Sequence, residues 1–189
     1  MGQRFLSDLM VDWFVEFVKA MLILFPAYAA NGFPPMARGR LPIDFNKKWL
    51  DKNRIFGDGK TIEGFSLGLI AGTFVGVIEA LVQPSISSYA AIWNIQIPSM
   101  NFLIGFLISL GALCGDLGGS FIKRRLGLER GKEVIFLDQW NFIIGSMLFV
   151  FMFTEITFWM LLIMLLITFI VHRIANIVGH KLKLKRVPW

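Results

Sequence analysis

The sequence predicts an all-α integral membrane protein with five transmembrane helices, and three observations predict it. Of the 189 residues, 56% are hydrophobic and 17% charged, and the mean hydropathy is +0.65. Soluble domains carry about 25% charged residues, and a chain this short keeps too much surface in water to hide 19 Phe and 6 Trp. Five largely apolar stretches approach the roughly 20 residues that a helix needs to cross the hydrocarbon core. Basic segments alternate along the chain with segments lacking Lys and Arg, the pattern of loops on opposite sides of a bilayer. Disorder, a coiled coil and an ordinary soluble globule are excluded, and residues 1–189 read as one membrane-embedded domain.

The first span, about 9–30, carries Asp12, Glu16 and Lys19 in its opening half, with the acids one turn apart and within reach of the lysine. A cleavable signal is not expected, because Asp8, Asp12 and Glu16 fall where its apolar region would lie. The loop 31–61 is long and basic, with Arg38, Arg40, Lys47, Lys48, Lys52, Arg54 and Lys60. In the second span, about 62–83, Gly64, Gly68, Gly72 and Gly76 recur every four residues. The loop 84–99 has no Lys or Arg. The third span, about 100–118, is the cleanest, since Leu81 to Gly115 holds no charge, and it carries Gly111, Gly115 and, just beyond, Gly119. Small residues at this spacing let helix backbones approach closely in lipid, so the stripes read as packing surfaces within the chain or in a dimer.

The loop 119–137 is basic again, with Lys123, Arg124, Arg125, Arg130 and Lys132. The fourth and fifth spans, about 138–154 and 156–178, are separated by Thr154 and Glu155, which forces a tight hairpin. The tail is basic through Arg173, Lys181, Lys183, Lys185 and Arg186. Positive loops on the inside place the N-terminus outside and the C-terminus in the cytoplasm.

The single Cys114 lies in an apolar stretch and reads as packing, and His172 and His180 are not at a ligand spacing. The informative residues are polar ones that hydropathy does not require. Asp116, Ser120, Lys123 and Arg124 fall on one helical face near the cytoplasmic end of the third span. Asp138 opens the fourth span, so one acid ends a helix and another begins the next. Asp116 could pair with Lys123 or Arg124, and Asp138 could cap its helix. With the cations beside them, the two acids point instead to a divalent metal site: hard carboxylate oxygens suit Mg²⁺, and the cations suit phosphates. Gly57-Asp58-Gly59-Lys60-Thr61 resembles the end of a nucleotide P-loop but lacks its first glycine, which is Arg54 here. Its glycines, lysine and following helix N-terminus still suit a phosphate, although a basic loop facing anionic lipid has the same charge. A small transporter or lipid-binding scaffold is the rival class. Polar residues gathered at one membrane face rather than at the midplane count against transport.

The run N-G-F-P-P…P-I-D-F…R-I-F-G-D-G-K-T-I-E-G, with G-D-L-G-G-S-F-I-K-R-R and D-Q-W-N-F, resembles the CDP-archaeol synthase family over nearly the whole chain. Its later half is also similar to the signature of CDP-diacylglycerol synthases. The resemblance implies an Mg²⁺-dependent enzyme of the cell membrane, its active site facing the cytoplasm. That enzyme would transfer CMP from CTP to a polyprenyl-ether glycerophosphate lipid; an ester-lipid synthase is the alternative. No nucleic acid or protein partner is expected. Asp116 and Asp138 match the metal-binding acids, and with Lys60 and Lys123 form the expected catalytic set. Ser120, Lys123 and Arg124 match phosphate- and nucleotide-facing positions. Asn31, Asp44, Arg54, Asp58, Gly59, Lys60 and Thr61 fall in the loop motifs and are expected around CTP, as is Gln139. Gln139 and Asn141 stand where the wider signature has an Arg and a second Asp, and an amide is a poorer metal ligand than a carboxylate.

Overall fold

The computed structural model describes residues 2–92, 95–128, 132 and 134–181, with side chains from Trp13 onward except at 175 and 179. Arg130, Lys183, Lys185 and Arg186, and the side chains of Asp8 and Asp12, lie outside the described residues. The order is α1 (Gly2–Gly32), a 3-10 turn (Pro34–Ala37), α2 (Ile62–Ala91), α3 (Phe102–Arg125), α4 (Ile135–Val150) and α5 (Phe158–Lys181). Among the described residues β-pairing is confined to two isolated antiparallel bridges in the long loop, Pro42–Thr61 and Lys48–Arg54.

All five predicted spans are helices, but their ends differ. α2 runs through Pro84 to Ala91, so the first half of the predicted 84–99 loop is helical. Proline removes one helical hydrogen bond without ending the helix. The Gln83 side chain then ties this turn to the chain ahead of α3, donating to the Pro98 carbonyl at 3.1 Å and accepting from Met100 N–H at 2.9 Å. α3 continues to Arg125 because Lys123, Arg124 and Arg125 suit the negative end of the helix dipole. The described part of α1, α2, α3 and α5 are long and apolar enough to cross a membrane, whereas α4 has 16 residues. At 1.5 Å per residue, α4 is about 24 Å long, shorter than the ~30 Å hydrocarbon core.

The core is apolar, with Leu24, Ile108, Phe142, Ile143, Met160 and Met164 fully buried. Both glycine stripes face inward. A Cβ on Gly72 would come within 2.7 Å of the Pro26 carbonyl, and one on Gly76 within 2.5 Å of Gly105 Cα. α3 and α4 form the most extensive helix pair. A Cβ on Gly115 would collide with the Asn141 carbonyl oxygen, its carbonyl carbon only 2.9 Å away. Backbone cannot swing aside as a flexible side chain can. Gly115→Ala is therefore expected to destabilise the detergent-purified protein by ~3 kcal/mol, the upper end of overpacking costs, read as a lower melting temperature. Gly118→Ala, with nothing within 4 Å, is the matched control and should not lower it.

Of the two acids in the first span, Glu16 is also satisfied. Glu16 accepts from Lys19 at 3.1 Å and from the Thr157 hydroxyl ahead of α5. The expected Glu16–Lys19 pair is present. At the opposite end of the bundle, the end of α1 and the starts of α2 and α4 meet the end of α3, and the long loop folds against them.

Candidate active site

The loop between α1 and α2 is ordered around one buried acid. Asp44 is 4% exposed and its carboxylate accepts five bonds. Arg54 donates through Nη2 at 2.6 Å and Nε at 3.2 Å. Backbone N–H groups of Asn46, Phe56 and Gly57 donate at 3.1, 3.0 and 3.0 Å. Burial by itself would raise the Asp44 pKa, but the Arg54 guanidinium and the Gly57 and Phe56 amides together hold it well below the ordinary carboxylate range. Arg54 reaches on to Asp58 at 2.7 Å. The loop is fixed to α2 by Glu63, which accepts from the Arg40 and Leu41 amides, and by Thr61, whose hydroxyl caps the helix at Gly64 N–H. It is fixed to α3 by Arg125, which donates to Asp51 at 2.6 Å and to the Arg54 carbonyl at 2.7 Å.

This scaffold delivers Lys60 to α3, where its ammonium pairs with Asp116. Two turns further along α3, Lys123 donates to both oxygens of Asp138 at 2.6 Å. Asp138 also accepts from Val134 N–H at 3.0 Å, so the capping role open to it is real as well. Asp116 finds its partner in the loop rather than in Lys123 or Arg124.

Two cavities meet at the Lys60–Asp116 pair, and both are also walled by Asp58 and Gly59. The first, about 280 Å³, extends toward Asn31, Arg38, Thr61 and Phe65. The second, about 250 Å³, extends toward Ser120, Lys123, Arg124 and Asp138. The expected residues are thus brought together, with three exceptions. Asp44 has its carboxylate fully engaged inside the loop, and Arg54 is its partner, so both shape the loop from behind rather than face the main cavities. Arg54 lines a third recess of about 240 Å³, which shares Gly57, Asp58 and Arg124 with the second cavity. Gln139 is 0% exposed and lines none of these cavities, because it shares the core-facing side of α4 with Phe142 and Ser146. Asn141 is packed over Gly119. Arg38 lines the first cavity but carried no signal beyond its place in a basic loop.

Asp116 and Asp138 supply hard oxygens to one cavity, beside the Ser120 hydroxyl. Among the described residues no group of three or more His, Cys, Asp or Glu could hold a metal. Two carboxylates suit Mg²⁺, which is commonly held by one or two carboxylates plus substrate phosphate and water. The residues fit that ion on condition that a phosphate accompanies it.

Residues 11–189 match the profile described as CarS-like: CDP-archaeol synthase. The chain belongs to the CDP-archaeol synthase family. It is 43% identical over 173 residues to a Pyrococcus abyssi CDP-archaeol synthase, covering 90% of this chain and 97% of the relative. A Saccharolobus islandicus CDP-archaeol synthase is 42% identical over 175 residues, covering 92% and 97%. A solved structure described as an intramembrane enzyme for archaeal membrane lipids biosynthesis superposes with TM-score 0.70 and 36% identity, covering 84% of this chain and 92% of that one. Membership makes the chain a multi-pass membrane enzyme of archaeal lipid synthesis.

Proposed function

We propose that this CDP-archaeol synthase family member transfers the cytidylyl group of CTP to 2,3-di-O-geranylgeranylglycerol 1-phosphate, giving the CDP-lipid and pyrophosphate. The observation that carries the reading is the pair of cavities joined at Lys60 and Asp116, with matched acids and cations at one end of an apolar bundle. An oxygen of the lipid phosphate attacks the α-phosphorus of CTP, and the bond from that phosphorus to the β-phosphate oxygen breaks. The nucleophile is already an anion, so no general base is required; the protein positions groups and balances charge. Asn31, Thr61 and the walls of the first cavity suit the base and ribose. Lys60, Lys123, Arg124 and Ser120 suit the triphosphate. Mg²⁺ held by Asp116 and Asp138 would supply charge neutralisation at the phosphates. The five helices cross the membrane with the N-terminus outside, and the site opens to the cytoplasm, where CTP is found.

Each acid here already has a lysine partner, and the lysines are the groups best placed for phosphate. Nucleotide and metal would therefore arrive together, with Lys60 and Lys123 moving from carboxylate to phosphate. Lys123→Met is expected to weaken CTP binding ~10- to 100-fold, the worth of one charged hydrogen bond, yet to strengthen Mn²⁺ binding measured without nucleotide. Titration calorimetry and Mn²⁺ resonance spectra read the two. Loss of both affinities would contradict the exchange. The activity itself is tested by pyrophosphate release from purified protein given CTP, Mg²⁺ and the ether lipid, with phosphatidic acid in parallel. Release requiring metal and ether lipid supports the reading; release with phosphatidic acid alone would move the substrate to ester lipids; none with either lipid would refute it.

A further inference from the structure

The long loop carries a second feature that nucleotidyl transfer does not use. Residues 47–55 fold back as a short hairpin, closed by Trp49 N–H to the Asn53 carbonyl at 2.8 Å and Ile55 N–H to the Lys47 carbonyl at 3.2 Å. Lys52 sits at its tip with φ +64. Leu50, also at the tip, is 92% exposed, the most exposed large apolar side chain described, and Trp49 is 47% exposed. An aqueous loop has no reason to offer leucine and tryptophan at a turn flanked by Lys47, Lys48 and Lys52.

The hairpin's place along the bundle explains this composition. Trp49 stacks edge-on against Phe121 of α3 at 5.5 Å, and Arg125 anchors Asp51 one turn later. The hairpin therefore lies alongside the last turns of α3. At the same level Ile122 of α3 and Leu126, the residue that caps it, are 46% and 63% exposed, and Phe136 at the start of α4 is 58% exposed. Apolar side chains facing outward at a helix end, mixed with lysines and arginines, mark the boundary between hydrocarbon and headgroups.

We propose that the 47–55 hairpin docks on the anionic headgroup layer of the bilayer its own helices span, with Leu50 and Trp49 immersed and Lys47, Lys48 and Lys52 on lipid phosphates. Charge complementarity selects this occupant: a lysine near an anionic membrane surface is worth about 1 kcal/mol, and a tryptophan at the interface keeps its ring in apolar surroundings and its N–H wet. The same arm is joined through Arg54 and Asp44 to the Lys60 segment, so membrane contact and site geometry share one rigid loop. This inference does not depend on the reaction proposed above.

The test uses the full chain in nanodiscs, with Cys114→Ser and Leu50→Cys carrying a polarity-sensitive fluorophore. Nanodiscs containing anionic phospholipid are expected to shift its emission to the blue relative to zwitterionic ones. Lipids spin-labelled near the headgroup should quench it at least twofold more than lipids labelled at the chain end. Lys47→Glu with Lys48→Glu should remove the quenching while the melting temperature holds. Emission like that in water, with no lipid quenching, overturns the proposal. A blue shift that follows protein density and not lipid label would assign the tip to a second copy of this chain and overturn it equally. Pyrophosphate assays on the same samples read the reaction separately.

Discussion

Asp116→Asn is expected to lower kcat/KM for CTP by about 10²–10³, the usual cost of losing one electrostatic stabiliser of developing charge, here the cation that Asp116 would hold, while the protein inserts and melts as before. The substitution keeps shape and leaves an oxygen to accept from Lys60, so what disappears is the charge. Asp116 is only partly buried, its side chain 21% exposed, and it sits where two cavities meet rather than in the core. Folding therefore has little reason to register the change. Asp58→Asn supplies the comparison: its side chain is 67% exposed, and a few-fold effect is expected. Steady-state rates over a Mg²⁺ series check the assignment, since a lost metal ligand should raise the metal concentration needed for half-maximal rate. Unchanged turnover in Asp116→Asn would remove it from the site.

What could be read from the sequence was whatever depended on periodicity and hydropathy. The helices, the glycine contacts and the shared face of Asp116, Ser120 and Lys123 are local regularities, and helix geometry converts them into positions. Helix ends were less legible. Gln83 anchors the far turn of α2 to residues near 100, a contact between segments distant in sequence. The pairing of the charges was illegible for the same reason. Lys60 and Asp116 are 56 positions apart, and only the folded loop brings them together. Asp44 and Gln139 show a further limit. A motif marks a residue as needed without saying whether it faces the ligand or holds what does, and the burial of Asp44 behind the loop and of Gln139 in the bundle decides that question.

For Asp44 the decision has a large expected consequence. Asp44→Ala removes the acceptor of five hydrogen bonds and leaves Arg54 without its buried partner, and breaking such a pair costs about 3–5 kcal/mol. The helices do not depend on this carboxylate, so the cost falls on the loop. Amide exchange at Phe56 and Gly57 should accelerate by ~10²–10⁴, each factor of ten being about 1.4 kcal/mol, with a far smaller change in the melting of the bundle. Turnover should fall with it, because the Lys60 carbonyl is held by Ile43 N–H at 2.9 Å, immediately beside Asp44. The pH dependence follows from the depressed pKa. A carboxyl whose pKa is lower folded than unfolded stabilises fully above its unfolded value, near 4, and loses that contribution as pH falls toward the folded one. Protection at Phe56 and Gly57, corrected for intrinsic exchange, should therefore stay level from pH 7 to about 5 and decline only below 4. A decline already between 7 and 5 would mean that Asp44 is not the charged centre of the loop, and the route from Asp44 to Lys60 would fail with it.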